Sequence, residues 1–145
     1  MKIIYQISAG GIVYKKNLWL VGQHSQHKGW VFLKGLIGDK NSTESMEKAA
    51  LREVKEEGGI VAKIINNKPI KTEYQYELND TIIKKKVYYY LMEYISGDPK
   101  DHDWEMDQVK FVNEKEVKKI LTYESEKTAF DKISPLVPLR GTRSK

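Results

Sequence analysis

The sequence predicts an α/β fold in which a mixed sheet lies between helices. Two alternating segments, 3–23 and 72–94, each contain a short polar turn and are typical of β-hairpins. A strongly helical segment at 46–58 separates them, and two shorter helical segments, 113–121 and 124–133, follow them. This order of hairpin, helix, hairpin and terminal helices implies one sheet with helices packed against it.

Length and composition narrow the class of protein. The 145 residues, of which 40% are apolar, predict one domain over 1–145 with a real core and a basic tail from about residue 135. The chain has no cysteine, no recognisable secretion signal and no long apolar run, so we expect a cytoplasmic protein without membrane contact. Its net charge of +5 suits an anionic small molecule, and we expect no stable nucleic-acid partner.

The first predicted hairpin begins with strands at 3–6 and 8–14, turns at 15–17 and returns over 18–23. A polar loop at 24–29 follows, and its two histidines are candidates for phosphate contact or for simple exposure to solvent.

The second hairpin is preceded by a short strand at 61–65 and turns at 79–80. A polar loop at 96–107 leads to a short strand at 109–112. Asn113 is the expected N-cap of the next helix.

The helix at 46–58 has clear start and stop signals. Ser45 is a good N-cap because its side-chain oxygen can accept a hydrogen bond from a first-turn backbone N–H. Gly58 and Gly59 are expected to end the helix, since glycine adopts the left-handed conformation without steric cost.

Three glutamates share one face at the end of this helix. Glu53, Glu56 and Glu57 are spaced i, i+3 and i+4, so their like charges lie close together and repel each other. Oxygen-preferring cations such as Mg²⁺ or Mn²⁺ would offset that repulsion. The alternative interpretation is an acidic helix face exposed to solvent.

The spacing around these glutamates favours cation binding over an acidic helix face exposed to solvent. The segment 38–60 matches the pattern GX5EX7REUXEEXGU, in which U is a bulky aliphatic residue, at every specified position. The chain therefore resembles the Nudix hydrolases, which use divalent metal to cleave nucleoside diphosphates linked to another group.

The resemblance covers about 3–134 and implies the α/β/α sandwich of that family. It assigns metal binding and catalysis to Glu53, Glu56 and Glu57. It assigns structural roles to four other residues: Glu44 and Arg52 would tie the loop before the helix to the helix, and Gly38 and Gly59 would serve backbone turns. Glu44 is the expected partner of Arg52, because a guanidinium can hold a carboxylate through two parallel hydrogen bonds.

The substrate prediction depends on weaker signals. The stretch 30–35, WVFLKG, resembles a segment of diadenosine tetraphosphate hydrolases, with leucine in place of their proline. A tyrosine-rich hairpin and an LTY segment at 121–123 point the same way. For each tyrosine of the hairpin taken singly, ordinary cross-strand packing is the favoured alternative. The predicted substrate-binding residues are Lys34, Tyr76, Tyr88 and Tyr123. Lys34 would contact phosphate, or be a surface lysine.

Glu105 is the remaining candidate. Family members often carry a glutamate six residues before the aromatic residue of the strand that follows, and Glu105 stands in that place before Phe111. It is expected to act as general base, to help hold a metal, or to be one acid of a solvated loop.

The predicted activity is hydrolysis of a pyrophosphate bond in a dinucleoside polyphosphate. The alternatives are nucleoside triphosphates, RNA 5′ ends, diphosphoinositol phosphates, or a nucleotide-binding protein without turnover.

Overall fold

The computed structural model describes residues 1–37 and 43–138. Within them an eight-stranded sheet is built from β1 (Lys2–Lys15), β2 (Leu18–His24), β3 (Trp30–Val31), β4 (Leu33–Leu36), β5 (Ile60–Ile64), β6 (Ile70–Leu78), β7 (Thr81–Gly97) and β8 (Met106–Asn113). The helices are α1 (Met46–Gly58), α2 (Glu114–Ile120) and α3 (Glu124–Ile133).

Strands β1 and β7 form the centre of the sheet. They run parallel from the Lys2–Thr81 pair to the Tyr14–Glu93 pair, whereas the other strand pairs are antiparallel, so the sheet is mixed. The second edge of β1 is shared: β4 pairs with it over 8–11, and β2 pairs with it at its end. The sheet therefore brings β4 directly beside the central strands.

Each face of the sheet carries its own core. Helix α1 packs on one face through Ala49, Ala50 and Val54, and helices α2 and α3 cover the other face with residues such as Val117 and Phe130. Because side chains alternate along a strand, odd-numbered residues of the second half of β1 face α1 and even-numbered ones face α3. The predicted sandwich with a mixed central sheet is confirmed.

Both predicted hairpins and all three predicted helices are present. Three details differ from the predictions: 3–14 forms one continuous strand, β8 begins at Met106, and 30–36 contributes two short strands. The last segment was not predicted as strand because it shows no period-two alternation, and its pairing depends on distant partners. None of the helices in 1–37 and 43–138 is long and apolar enough to cross a membrane.

The predicted caps of α1 are observed. The Ser45 side chain accepts a hydrogen bond from the backbone N–H of Lys48 at 3.1 Å. Gly59 follows the helix with φ of 73°, and its N–H donates to the carbonyl of Lys55 at 2.9 Å. Gly38 and the basic end of the predicted tail lie outside the described residues.

Candidate active site

Arg52 connects Glu44, which lies before α1, to the acidic end of that helix. Its Nε and one terminal nitrogen donate to the two carboxylate oxygens of Glu44 at 2.7 and 2.8 Å, which is the bidentate geometry that the motif predicts. Its other terminal nitrogen lies 2.8 Å from Glu53 Oε2 and 3.4 Å from Glu56 Oε1. One guanidinium thus holds three carboxylates, and it is largely buried together with Glu44.

Glu53 is packed against a glycine of β4. A Cβ atom at Gly35 would lie 2.0 Å from the carboxyl carbon of Glu53 and 2.2 Å from one of its oxygens. No side chain fits there without displacing the carboxylate. Gly35 therefore leaves the space that the Glu53 carboxylate occupies. This glycine lies on β4, the strand that also carries Lys34.

Glu57 is buried one turn after Glu53. Its Oε1 accepts a hydrogen bond from the backbone N–H of Lys34 at 3.2 Å. Burial raises the pKa of Glu57 from 4.5 to about 8, against the opposing influence of Lys34, while the nearby charges of Glu105 and Glu53 raise it further. In the metal-free protein this carboxyl group is largely protonated at neutral pH.

A cavity of about 870 Å³ opens above these groups. Its acidic lining comprises Glu53, Glu57, Glu105, Glu124 and Glu126, and its basic lining comprises Lys34 and Lys85. Such a volume is in the range of small-molecule sites. The cavity joins the acidic end of α1 to one face of the β6–β7 hairpin.

Glu105 reaches the site from the loop before β8. Its backbone carbonyl accepts from the N–H of Ser25 at 2.9 Å, and its N–H donates to Asp103 Oδ1 at 3.0 Å. The Asp103 N–H in turn donates to the carbonyl of Glu56 at 3.0 Å. This chain of backbone contacts positions Glu105 beside Glu57, as expected from its place before the strand.

Aromatic side chains form two other parts of the cavity wall. Tyr74 and Tyr76 stack with ring centroids 6.2 Å apart. In the other part, the Tyr123 ring packs edge-on against the His27 ring with centroids 5.8 Å apart, and the His27 ring stacks on the His24 ring with centroids 4.2 Å apart. Burial lowers the pKa of both histidines, so both rings are mainly neutral at neutral pH.

Lys34 is anchored to α3. Its Nζ lies 3.7 Å from Glu126 Oε2, and the Tyr89 hydroxyl donates a hydrogen bond to the same oxygen. Burial opposes the charge of Lys34, but the combined influence of Glu126, Tyr74 and Glu57 outweighs it, so the pKa of Lys34 is raised. Burial also raises the pKa of Tyr89 well above its usual value, which keeps the hydroxyl protonated as a donor.

The structure does not bring every predicted site residue into the cavity. Lys34, Tyr76 and Tyr123 line it, whereas Tyr88 does not. The reason is the alternation of β7: Tyr89 faces α3 and the cavity side, so Tyr88 faces α1 with Tyr90. The position of Tyr88 therefore gives no support to its predicted role in substrate binding.

Glu56 also lies outside the cavity lining. Its side chain is 40% exposed and rests beside Arg52. Among residues 1–37 and 43–138, no three acidic or histidine side chains are grouped closely enough to hold a metal ion.

The donor chemistry nevertheless fits a hard divalent cation. Glu53, Glu56 and Glu57 offer only carboxylate oxygens, which Mg²⁺ and Mn²⁺ prefer. Two of them already share the positive charge of Arg52, and the third has a pKa raised by burial that a cation would lower. The exposed side chain of Glu56 leaves it free to turn toward the other two.

Replacing Arg52 by alanine is expected to destabilise the protein. The change leaves a buried carboxylate at Glu44 without its guanidinium, at a cost on the order of 3 kcal/mol, or about 10 °C in melting temperature. Lys55→Ala, which removes an exposed cation from the same helix, is the matched control and should melt close to the parent. Equal melting temperatures for the two variants would show that the Arg52 pair contributes no stability.

Stability of the metal-free protein should fall as the pH rises. Since the pKa of Glu57 is raised from 4.5 to about 8, its stabilising contribution is full below pH 4.5 and is lost between pH 4.5 and 8. Melting curves in a chelator should show this loss for the parent and a flatter profile for Glu57→Gln. Parallel profiles for the two proteins would contradict the raised pKa.

Comparison with known proteins defines the family. The NUDIX domain model matches residues 4–132, so the chain belongs to the Nudix family of hydrolases, and the resemblance inferred from the motif at 38–60, the Nudix box, is confirmed. A protein from Mycobacterium tuberculosis that carries the name mutator protein MutT4 is 28% identical over 137 residues. The alignment covers 88% of this chain and 54% of that protein, so the chain spans about half the length of this curated relative.

Solved structures show the same fold. A C. elegans Ap4A hydrolase binary complex superposes with a TM-score of 0.74 at 24% identity, covering 91% of this chain and 97% of that chain. A NUDIX hydrolase from Nitrosomonas europaea gives 0.67 at 14% identity, covering 95% and 94%. A MutT protein from Methanosarcina mazei gives 0.65 at 20% identity, covering 94% and 97%.

Several cavity residues were not identified from the sequence. Glu126 and Tyr89 belong to no recognisable motif, and nothing local distinguishes Lys85 from the two lysines on either side of it. A signal existed for Glu126: it stands at the first position of the buried stripe completed by Ala129, Phe130 and Ile133, where a charged residue requires a partner. The register of β7 with β1 selects Lys85 over its neighbours.

Proposed function

We propose that the protein hydrolyses a pyrophosphate bond in a nucleoside diphosphate linked to another group, with a dinucleoside polyphosphate as substrate. The observation that supports this proposal best is the composition of the cavity. Its lining combines carboxylates, two lysines, and tyrosine and histidine rings. Phosphates and nucleobases require those three kinds of contact.

The catalytic end is assigned to the box glutamates. Glu53, Glu56 and Glu57 would hold Mg²⁺, with Mn²⁺ as a substitute, and the bound ion would neutralise charge on the phosphate oxygens. Glu105 lines the cavity beside Glu57 and is the general base that takes a proton from the attacking water. Members of the Nudix family generally use a divalent metal.

Substrate binding is assigned to the interior and to the rings. The ammonium of Lys34, with a raised pKa, carries its charge at neutral pH and attracts phosphate oxygens. Tyr76 and Tyr123 offer exposed ring faces on the wall of the cavity, on which a base would stack. A cytoplasmic location, which the cysteine-free sequence suggests, stays a prediction.

A product analysis tests the proposal. The protein is incubated with Mg²⁺ and, separately, with dinucleoside polyphosphates, nucleoside triphosphates, nucleotide sugars, diphosphoinositol phosphates and RNA bearing a 5′ triphosphate, and the products are separated. Fastest hydrolysis of a dinucleoside polyphosphate supports the proposal. Faster hydrolysis of another class would transfer the assignment to that class, and binding without hydrolysis would identify a non-catalytic protein.

Glu105→Gln is expected to lower kcat by roughly 10²- to 10⁴-fold with little change in KM. Kinetics are measured across a Mg²⁺ titration, with Asp101→Asn as a control that removes an exposed acid from the same loop. If Glu105 only helps to hold the metal, excess Mg²⁺ should recover much of the rate. If the variant has the same kinetics as the parent at every Mg²⁺ concentration, Glu105 has no catalytic role and is one acid of a solvated loop.

A further inference from the structure

Glu126 is a buried carboxylate that the proposed function does not use. It lies on α3 and is only 4% exposed, although glutamate is rarely buried without a specific role. Its Oε2 receives both the Tyr89 hydroxyl and the ammonium of Lys34. Its Oε1 is buried with no hydrogen-bond partner among the described residues.

The sheet brings the two donors together beneath Glu126. In the register of β1, Gly10 pairs with Lys34 of β4 on one side and with Tyr89 of β7 on the other. A Cβ atom at Gly10 would lie 2.7 Å from Lys34 Cβ, so glycine permits the close approach of β4. Both side chains therefore leave the same face of the sheet and meet the carboxylate that α3 supplies.

Lys34 also lies next to a second acid. Its backbone N–H donates to Glu57 Oε1 at 3.2 Å, and its charge acts on the Glu57 carboxyl group. The lysine side chain is only 19% exposed, so its ammonium requires an anionic neighbour inside the protein. Two acidic groups, Glu126 and Glu57, lie near the ammonium, and in the structure it is paired with Glu126.

We propose that Glu126 is a positioning residue that holds the Lys34 ammonium at α3 and so keeps it from forming an ion pair with Glu57. This inference rests on the proposed function, since it leaves Glu57 available as a metal ligand while Lys34 stays in the cavity for phosphate. Without the Glu126 charge, the Lys34 ammonium turns to Glu57 and competes with the metal.

The first test needs no metal. Melting temperatures are measured in a chelator for the parent, Lys34→Met, Glu57→Gln and the double variant, and the same four proteins are then made with Glu126→Gln. The melting-temperature effects of the Lys34 and Glu57 changes should deviate from additivity by several degrees more in the second set than in the first. An equal deviation in both sets would overturn the inference.

The second test measures Mg²⁺ binding by calorimetry without substrate. Glu126→Gln should bind Mg²⁺ about tenfold more weakly than the parent, because a charged hydrogen bond at Glu57 must first be broken. Adding Lys34→Met should restore the affinity. Asp131→Asn, which removes an exposed acid from the same helix, should bind like the parent. An unchanged affinity in Glu126→Gln would overturn the inference.

Lys34→Met alone decides the matter even if the Glu126 variants do not fold. If Lys34 is already held away from Glu57, its removal should leave Mg²⁺ affinity within about twofold of the parent. Affinity about tenfold tighter would mean that Lys34 competes with the metal in the parent, which overturns the inference. A wrong metal assignment gives a different result, because Glu57→Gln would then bind Mg²⁺ as tightly as the parent. The melting-temperature test in chelator would still show whether Glu126 keeps Lys34 from pairing with Glu57.

Discussion

Replacing Glu57 by glutamine is expected to lower turnover by at least about 100-fold while the protein stays folded. The substitution keeps the shape of a buried side chain but removes the charge that the proposed metal site requires. It also removes a carboxyl group whose pKa is raised by burial, so the metal-free variant should melt at a higher temperature than the parent at neutral pH. Loss of activity together with gain of stability distinguishes a functional residue from a structural one.

Glu56→Gln should lose activity to a similar extent, with a smaller effect on stability because this side chain is partly exposed. Glu47→Gln removes an exposed acid from the first turn of the same helix and is the matched control. Steady-state rates at saturating Mg²⁺, with melting curves for each protein, provide the comparison. Near-parental rates for both Glu56→Gln and Glu57→Gln would show that the box glutamates are not catalytic.

Gly35→Ala should abolish most activity although it adds only a methyl group. The new Cβ atom would lie 2.0 Å from the carboxyl carbon of Glu53, so that carboxylate must move. The expected loss is of the same order as that of Glu53→Gln, about 100-fold or more, because a misplaced carboxylate no longer acts as a ligand.

A double variant isolates the cause. If Gly35→Ala acts by displacing the Glu53 carboxylate, it should add little to the activity loss of Glu53→Gln. Activity losses that multiply in the double variant would instead show that Gly35→Ala damages the site by another route. Gly22→Ala, whose added Cβ would meet side-chain atoms no closer than 3.3 Å, is the control for a methyl group added to the sheet.

The acidic end of the site could be predicted because it depends on local geometry. Glu53 and Glu57 are one turn apart on a helix whose caps are readable in the sequence, so their shared face follows from the helical period. The Arg52–Glu44 pair could likewise be inferred, because the family motif names both positions.

The rest of the cavity depends on contacts between distant segments. Alternation shows that Tyr88 and Tyr89 point to opposite faces of β7, but only the register with β1 shows which face carries the cavity. Glu126 meets Lys34 across the space between α3 and β4, and no local pattern connects them. The preference of glutamate for the surface also argued against a buried position.

Hydrolysis of a dinucleoside tetraphosphate in the presence and absence of metal tests the central claim most directly. The parent protein is freed of metal with a chelator, assayed, and then assayed again after Mg²⁺ or Mn²⁺ is restored, with Glu57→Gln in parallel. The proposed site predicts no measurable hydrolysis by the stripped protein, recovery with either ion, and little recovery in the variant. Hydrolysis that persists at the parental rate without metal, or that Glu57→Gln matches after Mg²⁺ is restored, would contradict it.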